Sequence, residues 1–161
     1  MPFVADSRTE TVPREFLVIL RVYLGVIFLI AVASKLAHPG WAANLPMLFA
    51  AGPFQRAHPF YLAFIRALIL PHAGLVGALV AAGELFVGVS LVSGAATRLG
   101  ALVAMWLVTN YMFAKGAWWW YPASNDAACF FIALVLILGT AGRAFGVDYF
   151  LVRRWPRAWI W

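Results

Sequence analysis

Glu84 is a carboxylate set in the middle of GLVGALVAAGELFVGVSLVS, a run with no other charge. An acid buried at the centre of an apolar span costs about 2.5–3.5 kcal/mol on insertion scales, so it calls for a partner or a task. It shares a helix face with Gly77, Ala81 and Gly88, small residues that let a second helix come close. In the preceding apolar run, Arg21, Gly25, Phe28, Val32 and Lys35 form a comparable stripe. Side chains lean toward the N-terminus of their own helix. In two antiparallel helices Lys35 and Glu84 therefore converge, whereas Arg21 leans away toward the opposite interface. The geometry predicts a Lys35–Glu84 pair. Asn110 and Tyr111, late in a third apolar run, fall in the same half of the bundle, with Lys115, Asn125, Asp126 and Trp118–Trp120 at its edge. Hydrogen-bond donors, one protonatable carboxylate and apolar walls suit a quinone headgroup and its tail. Lys35, Glu84, Asn110 and Tyr111 are the candidate quinone or proton site. A structural reading accounts for the same residues: Lys35–Glu84 as a tie between helices, and Ser124, Asn125 or Asp126 as a helix cap.

Other chemistry finds less support. Cys129 is a lone thiol in an apolar run, without a second cysteine for a disulfide or a C-x-x-C motif. His38, His58 and His72 fall at or beyond the ends of apolar runs, which excludes a bis-histidine haem site inside the bundle; a single axial ligand at His38 or His72 stays open. The chain carries no flavin, haem, iron–sulfur or copper motif, so neither a metal nor an intrinsic cofactor is expected.

The elements that must position these groups are written in the composition. Of 161 residues 65% are hydrophobic and 11% charged, against roughly 25% charged in a soluble domain. There are too few polar residues to cover a soluble surface. The net charge of +6 comes from cations placed between apolar runs rather than along one stripe, a pattern that points to a lipid bilayer and not to nucleic acid. Residues 1–15 read as a polar tail. Spans are expected at about 16–36, 74–93, 99–114 and 127–142, giving an all-α membrane protein built as a four-transmembrane-helix bundle of residues 16–143. Arg14 and Arg21 followed by Ala31-Val32-Ala33 imitate a signal peptide, but the long charged lead favours a retained first span. Within the long connection 37–73, residues 58–70 run between Pro59 and Pro71 and are too short to cross ~30 Å of hydrocarbon, which predicts an interfacial helix. Residues 144–161 form an Arg- and Trp-rich tail suited to the membrane boundary. With four spans, Arg8, Arg14, Arg21, Arg98, Arg143, Arg153, Arg154 and Arg157 share the side of both termini. Lys35, Arg56, Arg66 and Lys115 fall on the other. The positive-inside rule then places both termini in the cytoplasm.

The segments LRVYLGVIFLIAVASKL, GELFVGVSLVSGAATRLGAL and AGRAFGVD, in that order and spacing, resemble the DoxX family of small four-span membrane proteins over about Leu20 to Asp148. Arg21, Lys35, Glu84, Arg98, Asn110, Arg143 and Asp148 match the family's polar pattern. With Asn125 and Asp126 added, Arg21, Arg98, Arg143 and Asp148 make a candidate structural polar network. The resemblance implies a component of a bacterial or archaeal cytoplasmic membrane, associated with quinone-linked redox chemistry; relatives include the membrane part of thiosulfate:quinone oxidoreductase. It favours a subunit of a larger complex whose redox centre lies on another subunit. A purely structural subunit of a respiratory or photosynthetic assembly is the alternative, and a small transporter a weaker one. Segment 40–71 is longer and more aromatic than a minimal member needs. It and the two tails are the expected contacts with neighbouring subunits.

Overall fold

The computed structural model describes residues 15–38, 40–50, 56–121 and 124–160; of the expected tail 1–15, all but Glu15 lies outside them. Four helices form the body: α1 (Phe16–Leu36), α4 (Ala73–Ser93), α5 (Thr97–Ala114) and α6 (Asn125–Leu138). Between α1 and α4 come a 3-10 turn (Trp41–Asn44), α2 (Leu45–Ala50), and α3 (Pro59–Phe64), which runs on into a π-helical turn (Ile65–Ile69). A last short helix, α7 (Asp148–Arg154), follows α6. No strand occurs among the described residues. Successive body helices are antiparallel; α4 packs on α1 and α5, while α6 packs on α5 and α1. The proximal end holds Phe16, Ser93, Thr97 and Leu138, and the distal end holds Leu36, Ala73, Ala114 and Asn125.

Local chemistry explains the boundaries. Pro59 stands in the first turn of α3, where its missing N–H costs nothing. The turn that follows widens so that Leu70 N–H bonds to the Ile65 carbonyl, and Pro71 then stops the helix. Gly94, at φ +69°, closes α4 in the left-handed conformation that glycine adopts without strain. Two expected spans shift. Ser124 caps α6 by accepting from Ala127 N–H, so the helix starts at Asn125. It ends at Leu138 rather than 142, because Gly139 closes it and Thr140 turns left-handed into a 3-10 turn (Ala141–Arg143). The third begins at Thr97, two residues before the expected 99, for a reason given below.

The core runs along the bundle axis through Leu24, Phe28, Val87, Leu91, Ala104, Val108, Ala133 and Leu136. The close approach of α1 and α4 depends on Gly25: a Cβ there would lie 2.8 Å from a methyl of Val92. The outer faces are apolar and uncovered, as at Ile19, Ile30, Leu75, Leu79 and Trp106, each more than 60% exposed. A water-soluble monomer rarely presents so continuous an apolar surface. By length and composition α1 and α4 are able to cross a membrane; α6, with 14 residues, is about 21 Å long at 1.5 Å per residue.

Candidate functional site

Glu84 is 1% exposed and sits midway along α4, facing α1 and α5. From α1, Lys35 Nζ donates to both carboxylate oxygens at 2.7 Å. From α5, the Tyr111 hydroxyl donates to Oε1 at 2.7 Å. Three helices thus converge on one carboxylate, and the ammonium also stands 5.5 Å above the Trp41 ring. The face of α1 that carries Lys35 is the stripe read from its spacing, since Arg21, Gly25, Phe28 and Val32 are buried along it. Immediately before Tyr111 on α5, Asn110 accepts from the Tyr61 hydroxyl at 2.8 Å and donates one amide N–H to the Trp106 carbonyl at 2.7 Å. Its second N–H is thereby left for another acceptor. Burial pushes the Tyr61 hydroxyl up to about 12, which keeps it a donor across the ordinary pH range.

These groups border one cavity of about 790 Å³ whose remaining walls are largely apolar, including Phe28, Phe49, Phe64, Leu79 and Trp106. The cavity extends to Lys115 and Asp126, paired at 2.7 Å near the distal surface, and to Cys129 one turn below Asp126. Segments α2 and α3 lie over it. The packing face of α3 and its π-helical turn is Tyr61, Ile65 and Ile69; Phe60 points outward, while the half-exposed Phe64 and Leu68 border the cavity. All four candidate residues, Lys35, Glu84, Asn110 and Tyr111, therefore border one space.

Other expected members are elsewhere. Trp118–Trp120 and Asn125 do not line the cavity. The tryptophans instead join a ring cluster with His58, Phe113 and Phe130, where His58 lies 4.3 Å from Trp118. The tryptophans that do reach the cavity are Trp41 and Trp106. Tyr61 and Trp41 were not anticipated as site residues. A signal for Tyr61 existed in its i, i+4 spacing with Ile65 and Ile69; Trp41 follows Lys35 too irregularly for periodicity to show it. His38 and His72 are exposed and bond to carbonyls four residues back, Ser34 and Leu68. Among the described residues no three of His, Cys, Asp and Glu come together as a metal site.

The proximal end holds a second polar centre. Arg21 leans toward the proximal end, away from Glu84, but it is buried there rather than exposed: it is 1% exposed and donates to the carbonyls of Ala141, Ala144 and Phe145, each at 3.1 Å. Asp148, fully buried, accepts from the backbone N–H groups of Ala96 and Thr97 at 2.7 and 2.9 Å. It caps α5 from a distance in sequence, and that is why α5 begins at Thr97. The three left-handed non-glycine residues among the described residues, Ala96, Thr140 and Phe145, all cluster here. Such conformations cost free energy and persist only where the surroundings hold them; Arg21 and Asp148 do the holding. The bundle thus does not end at residue 143, because Asp148 belongs to its core. Arg98 lies outside this knot, donating to the Trp159 carbonyl at 3.2 Å, and Arg143 stands in the 3-10 turn beside it.

A protein-family model described as DoxX matches residues 16–116, the stretch that contributes Arg21, Lys35, Glu84, Asn110 and Tyr111. Comparison with curated proteins and with solved structures returns no match.

Proposed function

The chain belongs to the DoxX family of membrane proteins, and from that premise we propose that it is a four-span subunit that holds a quinone in the distal cavity while a partner subunit carries the redox centre. The observation that carries this reading is Glu84, buried at the wall of an apolar cavity and held by two donors, Lys35 and Tyr111, that a headgroup carbonyl would also accept from. A purely structural carboxylate has no need of a cavity beside it. In this reading a bound quinone supplies the electron chemistry. Lys35 and Tyr111 orient its oxygen, Glu84 stores or releases a proton beside it, and the second amide N–H of Asn110 gives another donor. The apolar walls exclude water and take the tail.

The remaining topology follows the same reading. α5 and α6 cross the bilayer with α1 and α4, their short lengths made up by Lys115 and Arg98 reaching to the interfaces. α3 lies at the interface. Both termini face the cytoplasm of a bacterial or archaeal cell, since the proximal end gathers the arginines. Segment 40–71 meets neighbouring subunits.

The test is quinone retention by the full chain purified in mild detergent, using a short-tailed ubiquinone analogue. Glu84→Gln keeps the shape and an acceptor for Tyr111, so the fold is expected to survive while analogue binding falls at least tenfold. Unchanged binding in this variant overturns the proposal. The second reading is a subunit with a structural role only, and the buried interhelix tie favours it. It gains the ground if Glu84→Gln leaves electron transfer intact while Lys35→Met dissolves the assembly. Solute or proton flux through the isolated chain in liposomes would instead mark a transporter.

A further inference from the structure

The proximal end carries a surface that the distal cavity does not explain. After Asp148 anchors it, the chain is held under the bundle: Arg98 donates to the Trp159 carbonyl and its guanidinium lies 5.9 Å from that ring. Arg153 stacks on Tyr149 at 4.1 Å. Phe145, Phe150, Trp155 and Trp159 are 79%, 68%, 54% and 53% exposed. Arg153, Arg154 and Arg157 are exposed among them. A groove of about 640 Å³ runs between Glu15, Ser93, Arg143, Phe145, Tyr149 and Phe150. The charge here is one-sided. Among the described residues of this end, Glu15 alone is an exposed acid, because Asp148 is fully buried.

We propose that this face binds anionic phospholipid, its arginines taking the phosphate groups and its aromatic rings and groove taking the glycerol and upper acyl region. Charge complementarity commits the face to that occupant. Three exposed arginines, at 153, 154 and 157, with the half-buried Arg98 and Arg143 adding positive charge behind them, suit a phosphate-bearing surface, and rings with an apolar body beside cations are suited to the boundary between headgroups and tails. Position agrees with charge. The face adjoins the uncovered apolar girdle at its proximal rim, where Phe16 and Leu138 are 61% and 74% exposed. The anchored tail thereby lies flat in the plane of the interface instead of trailing into water. The left-handed turn at Phe145 presents that ring outward, a conformation the carbonyl bond from Arg21 helps to hold.

The experiment is native mass spectrometry of the full chain in mild detergent, with phosphatidylglycerol and phosphatidylcholine added at equal concentration. Wild type is expected to retain phosphatidylglycerol several-fold in preference, and the preference should shrink as salt rises. Substituting R153Q, R154Q and R157Q together should abolish most of it, while R56Q with R66Q, at the distal end, should leave it unchanged. Should the triple variant fail to fold, R157Q alone serves, with a partial loss expected. Equal retention of both lipids by wild type overturns the proposal, as does selectivity that survives the tail substitutions or that follows the distal arginines. Cross-linking of the tail to an acidic protein without lipid selectivity would assign the face to that protein instead. Quinone binding does not enter this readout, so the two proposals fail separately.

Discussion

The bundle buries ionised groups at both ends, and the two ends satisfy them differently. At the proximal end, Arg21 and Asp148 bond to main chain: three carbonyls for one, two N–H groups for the other. The surroundings are filled. A Cβ on Gly142 would run into the Asp148 carboxylate and the Thr97 hydroxyl, and one on Gly94 into the Arg21 guanidinium. At the distal end, Glu84 bonds only to side chains, Lys35 and Tyr111, and open space lies next to them. Backbone partners are fixed by the fold and have no alternative arrangement. Side-chain partners beside a cavity are able to turn and serve a ligand. The contrast separates a charge used to close a structure from a charge kept available.

The two ends should break differently. The largest loss is expected from Arg21→Met, which strips two buried carbonyls and a partly buried one of their donor and releases the strained turn at Thr140 and Phe145. A stability drop of roughly 3–5 kcal/mol follows from the desolvation cost of such groups, readable as denaturant unfolding in detergent micelles. A drop under about 1 kcal/mol would show that the knot is not what closes this end. Lys35→Met should cost less, about 1–3 kcal/mol, because Glu84 keeps its hydrogen bond from Tyr111. Adding Glu84→Met to it should recover most of the loss, since removing both charges leaves no unpaired group. If the double variant is no more stable than the single, the pair is not the origin of the cost.

Smaller effects sharpen the comparison further. Tyr61→Phe removes one hydrogen bond to Asn110 and should cost about 0.5–1.5 kcal/mol, together with weaker binding of the quinone analogue; a loss of stability with analogue binding unchanged would reduce Tyr61 to packing. Lys115→Gln breaks an ion pair whose lysine is 40% exposed. Salt and solvent screen such a pair, so thermal unfolding should move by no more than about 1 kcal/mol. A larger shift would reveal that the cavity mouth is structural.

What the residues alone determined was periodic. The stripe from Arg21 to Lys35 and the stripe from Gly77 to Gly88 follow from helical spacing. With the lean of helical side chains they bring Lys35 to Glu84, at the 2.7 Å now seen. The apolar runs marked α1 and α4 to within a residue, and Pro59 and Pro71 bracketed α3 together with its π-helical turn. Only the tertiary structure decided what came from beyond one helix. Asp148 reaches back more than fifty residues to cap α5, and the resulting bonds hold Ala96 in a conformation its own side chain disfavours. Arg21 finds carbonyls that exist as acceptors only because α6 stops early at Gly139. The cavity, and the choice of Trp41 and Trp106 over Trp118–Trp120 to line it, depends on how α2 and α3 fold across the distal end. Helical periodicity is a local property of the chain and can be counted. A cap supplied from a distant helix and a space left between six helices are properties of packing, and no spacing along the chain records them.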